Sequence, residues 1–225
     1  VFHLDHFALG VSDLDDGVHR LAEQTGFGNY EGGVFPGGGV RNWIFPLGAD
    51  IYLEVESAVE GSADPASSWF RRATSDGADH WMFWCLRADT LDDLEQVARR
   101  LGSEVKVVPG RTEPDGTQRV VTSTPVGQAV RRARQQGLPN WYYRDDPDNN
   151  PARRAVVGER IAAGVAWLEV SGDPDQFRSH IGTETFDHLP LRFVPGEPGL
   201  HAVAVRTSGG EEIVIRRTPA GQDMF

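Results

Sequence analysis

Three times along the chain an alternating apolar segment runs into a helix cap and then an amphipathic helix, and this repetition limits the possible folds more than any other feature. The first copy is Leu4-Asp5-His6-Phe7-Ala8-Leu9-Gly10-Val11-Ser12-Asp13-Leu14. Phe7, Leu9 and Val11 form one strand face suited to a buried layer. His6, Ala8 and Gly10 form the other, which is small apart from one imidazole and suits the lining of a cavity. Ser12 or Asp13 then caps a helix with Leu14, Val18, Leu21 and Ala22 on one side and Gly26 as its stop. The second copy runs from His80 to Thr90, followed by a helix carrying Leu91, Leu94, Val97, Ala98 and Leu101, with Thr90 and Asp93 at capping-box spacing. The third runs from Val165 to Pro174, where Asp173 caps, Pro174 opens the helix and Gly182 ends it.

Each helix is followed by strand-like segments. Residues 28–35, 40–46 and 50–56 follow the first, 104–108, 119–124 and 140–144 the second, and 191–194, 200–206 and 211–216 the third. The order in every unit is βαβββ. The reading is an α+β protein with mixed, strongly curved sheets. Residues 1–144 form paired modules (about 3–57 and 79–144) around a main cavity. Residues 145–163 are a polar connector, 164–216 a third, partial module that packs beside the pair and extends its sheet, and 217–225 a tail.

The 225 residues carry a formal charge of −11. That excess of acid argues against sequence-independent nucleic-acid binding and against docking on anionic lipid. No uncharged run approaches the roughly 18 residues of a spanning helix. A single cysteine, Cys85, allows no internal disulfide, and a cytoplasmic location is the expectation. A small molecule is the expected partner.

The stretches His3 to Leu14, Gly38-Gly39-Val40-Arg41-Asn42-Trp43 and Tyr52-Leu53-Glu54-Val55 resemble the vicinal oxygen chelate superfamily, and within it the glyoxalase-like domain. The resemblance spans about residues 3–216 and is looser in the second and third units. It implies βαβββ modules whose curved sheets surround a cavity, often with a divalent metal held by the first and last strands of each module. It also makes a homodimer an expectation.

Matched by position, the first-module ligands fall on His6 and Glu54. The pattern of the fourth strand agrees, because Tyr52, Glu54 and Glu56 share the face opposite Ile51, Leu53 and Val55. In the second module the matched slot holds Met82, with His80 two residues earlier. His6, Glu54 and His80 are the candidate ligands for Zn, Mn or Fe, provided a bulge brings His80 into register. Without it the cavity holds no metal. Glu56 and Tyr143 are further acid/base candidates beside His6 and Glu54, and Asn42, Trp43, Tyr52, Met82 and Trp84 are candidates for ligand contact.

The activity implied is enzymatic, of isomerase, lyase or dioxygenase type: metal-assisted stabilisation of an enolate on a small oxygenated molecule, with proton transfer by a nearby side chain. The alternatives are a metal-free protein that sequesters an apolar compound and a metal-free acid/base enzyme using His6, oriented by Glu54.

Overall fold

The three predicted caps form as side-chain bonds to the backbone. Asp13 accepts from Asp16 N, Thr90 from Asp93 N and Asp173 from Asp175 N, each worth about 1 kcal/mol. They start the helices α1 (Leu14–Thr25), α3 (Leu91–Arg100) and α5 (Pro174–Ile181). The computed structural model describes residues 1–221. The strands are β1 (His3–Gly10), β2 (Tyr30–Val34), β3 (Val40–Gly48), β4 (Ile51–Ala58), β5 (His80–Arg87), β6 (Lys106–Thr112), β7 (Gln118–Thr124) and β8 (Asn140–Tyr143), then β9 (Ala162–Ser171), β10 (Leu191–Phe193), β11 (Gly199–Thr207), β12 (Glu212–Arg216) and β13 (Thr218–Pro219). Three further helices are α2 (Pro65–Ala73), α4 (Gly127–Gln135) and α6 (Thr183–His188).

The first module orders its strands β1-β4-β3-β2 and the second repeats this as β5-β8-β7-β6. Antiparallel pairing of β1 with β5 joins the modules along one seam, and a single pair, Val34 with Thr112, joins β2 to β6 on the other. The sheet therefore closes into a barrel. Phe7, Leu9, Leu53, Trp84, Leu86 and Trp141 point out of it, into a continuous apolar cluster with Leu14 and Leu21 of α1 and Leu94 and Val97 of α3. The main core thus lies outside the barrel, and the inside combines polar groups with a smaller apolar cluster that includes Ala8 and Met82.

The third unit keeps the chain order but not the pairing. Its strands form a separate four-stranded sheet, β10-β9-β11-β12, with β9 beside β10 instead of beside the last strand. It does not extend the barrel sheet. Leu168, Val170, Val203 and Val205 pack its inner face onto the common core. Thr218 and Pro219, in the expected tail, pair with His80 and Trp81 of β5; residues 222–225 of that tail lie outside the described residues. No helix among the described residues is long and apolar enough to cross a membrane.

Two register shifts decide what faces inward. Along the β1–β5 seam Leu4 pairs with Leu86 and His6 with Cys85, so Asp5 is an extra residue. Ala8 pairs with Phe83 and Leu9 with Trp81, so Met82 is another. Each is a bulge, and each reverses the alternation on its strand.

Candidate active site

The bulge at Asp5 lets two successive side chains, Asp5 and His6, act together inside the barrel. His6 Nδ1 lies 2.6 Å from Asp5 Oδ2. Arg144, one residue beyond β8, donates to both carboxylate oxygens of Asp5, at 2.6 and 3.0 Å, and from Nη2 to the Tyr52 hydroxyl at 2.7 Å. Burial alone would raise the Asp5 carboxyl. The Arg144 guanidinium and the His6 bond outweigh it and hold the group well below the usual carboxylate range. Asp5 is then anionic at any ordinary pH, and an anion 2.6 Å away requires the hydrogen of His6 on Nδ1. Nε2 is the nitrogen left to exchange protons. The ring stacks on Tyr52, centroids 4.9 Å apart, and meets Tyr142 at 5.0 Å and Phe83 at 6.1 Å.

His6, Tyr52, Glu54, Tyr142 and Arg144 line a cavity of about 540 Å³ whose far wall is the β6–β7 hairpin, a size typical of sites for small organic ligands. Ala8 and Gly10 of β1 pair with Glu54 and Glu56 of β4, and the space beside Gly10 is taken by the Met82 side chain. Glu56 hydrogen-bonds Glu54. Its burial, and then the neighbouring Glu54 charge and that bond, push its pKa well above the usual carboxylate range. Burial likewise raises Tyr52 and Tyr142, which stay neutral hydrogen-bond donors.

Residues 4–171 match the glyoxalase-like domain family. The chain belongs to this family. Among solved structures, it is similar to a hypothetical protein from Staphylococcus aureus (10% identity, TM-score 0.54, covering 96% of this chain and 86% of that one). It is also similar to a triple mutant of 4-hydroxymandelate synthase from Streptomyces coelicolor (15% identity, TM-score 0.52, 93% and 60%). A variant of Streptomyces coelicolor methylmalonyl-CoA epimerase matches at 18% identity and TM-score 0.44, over 64% and 98%. No curated protein matches the chain. The glyoxalase-like domain therefore has the vicinal oxygen chelate fold expected from its sequence.

The metal expectation meets a different residue set. His80 does not join His6 and Glu54. It sits at the far end of the seam, paired with Gly10, bonded to Asp76 at 3.0 Å and Thr218 at 3.0 Å. Counted from the observed caps, Asp13 and Thr90, the position matching His6 is Phe83, not Met82. Glu54 pairs with Ala8, and the matching partner in the second module is Asn140 beside Cys85. Phe83 offers no donor, and Asn140 already bonds Cys85 and Tyr142. No group of three His, Cys, Asp or Glu side chains able to hold a metal ion exists among the described residues. The residues present do not fit a divalent cation.

The other candidates divide. Tyr52 lines the cavity, and Tyr143 reaches its rim from the outer face of β8. Asn42 is fully buried on β3, paired with Glu56. Trp43 lies on the outer face, donating to Asn29 at 2.6 Å. Met82 packs against Ala8 and Phe70 in a smaller apolar cluster. Trp84 is not in the cavity: the Met82 bulge turns it outward, where it donates to Gly137 O at 3.0 Å and stacks on Phe177. Asp5 and Arg144, absent from the sequence candidates, complete the site. Asp5 had one signal: alternation puts this lone acid on the apolar face of Phe7 and Leu9.

Proposed function

We propose that this glyoxalase-like domain is an enzyme that moves a proton on a small oxygenated organic molecule without a metal, His6 being the acid/base group. The observation that carries this reading is the Asp5–His6 pair, 2.6 Å apart and anchored by Arg144, at the base of the cavity. Asp5, and not Glu54, orients the imidazole. With Nδ1 committed to Asp5, Nε2 takes a proton from a carbon next to a carbonyl, and the resulting imidazolium is stabilised by the buried carboxylate. Charge develops on the carbonyl oxygen. Arg144 donates to the Tyr52 oxygen, which leaves the Tyr52 O–H free to donate to that oxyanion, the role a Lewis acid plays in a metal site.

The test is exchange of α-hydrogen for deuterium in D2O, followed by proton NMR on carbonyl compounds from acetoin to phenylpyruvate. Exchange by the wild type that His6→Ala abolishes supports the reading; exchange unchanged in His6→Ala refutes it. Tight binding with no exchange points to sequestration, a second reading favoured by the apolar side chains Val108 and Val121 on the cavity wall.

A further inference from the structure

The two arginines of the β6–β7 hairpin have no part in the proton transfer just described. Arg111 is 6% exposed, and it and Arg119 both line the cavity. One carboxylate serves them both. Arg111 Nη2 donates to Glu113 Oε1 at 3.2 Å, while Arg119 donates from Nε at 2.9 Å and from Nη2 at 3.1 Å to the two oxygens of Glu113. Arg111 Nε is held by Gly32 O at 3.1 Å and Arg119 Nη1 by Asn149. Glu113 stands behind the guanidinium groups, so the cations are presented to the cavity. These bonds leave both hydrogens of Arg111 Nη1 for a ligand. The neighbouring ion pair, Asp5 with Arg144, is balanced. The hairpin arginines share one carboxylate, Glu113, and the cavity they face also holds Glu54 and Asp145.

We propose that Arg111 and Arg119 bind the carboxylate of the substrate, which makes the substrate a small keto acid. The inference rests on the reading of the cavity as a proton-transfer site, which it deepens. A planar guanidinium recognises a carboxylate through its N–H fork, and the free hydrogens of Arg111 Nη1 offer that contact. Arg111 acts electrostatically on Tyr52, and Tyr52 stacks on His6. Arg111, Arg119, Tyr52 and His6 all line the one cavity, so an acid held at the hairpin shares that space with the proposed proton-transfer groups.

Calorimetric titration of the full chain separates this inference from the reading beneath it. The probes are phenylpyruvate, its neutral relative phenylacetone and inorganic phosphate. Phenylpyruvate is expected to bind at least about ten-fold more tightly than phenylacetone, to weaken with added salt, and to lose about ten-fold or more in Arg119→Gln, in keeping with a charge-assisted bond. Because Arg111 is buried, Arg111→Lys is the second variant, retaining the charge but not the fork, and a smaller loss is expected there. Equal binding of acid and neutral ketone, or unchanged binding of the acid in Arg119→Gln, overturns the assignment. Phosphate binding more tightly than phenylpyruvate overturns the choice of carboxylate. His6→Ala keeps the binding and loses only exchange, so failure of the acid/base reading leaves a different signature from failure of this one.

Discussion

Replacing Asp5 by Asn keeps the shape of the site and removes the charge on which it is organised. Arg144, only 8% exposed at its side chain, loses both of its carboxylate bonds and stays as a buried, unpaired cation. Breaking one partner of such a pair costs about 3–5 kcal/mol. For a chain of this length each kcal/mol moves the melting temperature by about 2–4 °C, so a fall of about 10 °C is expected by calorimetry. The sign with pH follows from the depressed Asp5 pKa. The pair stabilises the fold fully above the unfolded carboxyl value, near pH 4, and that stability is lost as pH falls through this value toward the lower folded one. Wild type and variant should therefore converge in acid. Activity should fall about 10³- to 10⁴-fold, because His6 no longer has its tautomer set. The double variant Asp5→Asn/Arg144→Met removes the orphan cation and should regain most of the stability and none of the activity. If the single variant melts within about 2 °C of wild type at pH 7, or the double variant regains activity, the account of the dyad is wrong.

Glu56→Gln tests the raised carboxyl. A folded pKa above the unfolded value means that stability is lost as pH rises between the two, at about 1.4 kcal/mol per pH unit. The variant should melt higher than wild type at pH 8 and show a flatter profile from pH 5 upward; identical profiles would sink the assignment. His80→Ala should leave ligand binding and deuterium exchange unchanged, since its partners are Asp76 and Thr218, and loss of either would put His80 back in the site. Trp84→Ala should cost about 3–5 kcal/mol in denaturant titration by opening a void in the core, with ligand affinity per folded molecule unchanged.

The modules were legible because periodicity, caps and stops agreed at each copy. The cavity face of β1 was legible only in part. His6, Tyr52, Glu54 and Glu56 follow from strict alternation, but alternation also assigns Asp5 to the side of Phe7 and Leu9. One extra residue on one strand overturns that, and nothing local announces a bulge when the partner strand lies some eighty positions away. The same cause misplaced Trp84, whereas Met82 in place of Phe83 comes from counting back from a cap one residue before Thr90, the cap observed. Helix α2 carried a readable start, Asp64 capping Ala66 N with Pro65 at the first helical position. Helix α4 did not: Val126 makes no side-chain cap, and among its inward residues only Ala133 is buried. The third unit misled in another way. Its element order matches the others, and pairing order is set by packing against a surface that local sequence does not encode.

In the barrel, the apolar faces of the strands look outward to the helices and to the second sheet, while the lumen holds the ionisable groups. Stability and chemistry are written on opposite sides of the same strands. Lumen residues can be exchanged, as Phe83 and Asn140 illustrate at the positions matching His6 and Glu54, with the packing that keeps the protein folded left intact. Such a scaffold can abandon one reaction and take up another by single substitutions, and its descendants can diverge in chemistry long before they diverge in shape.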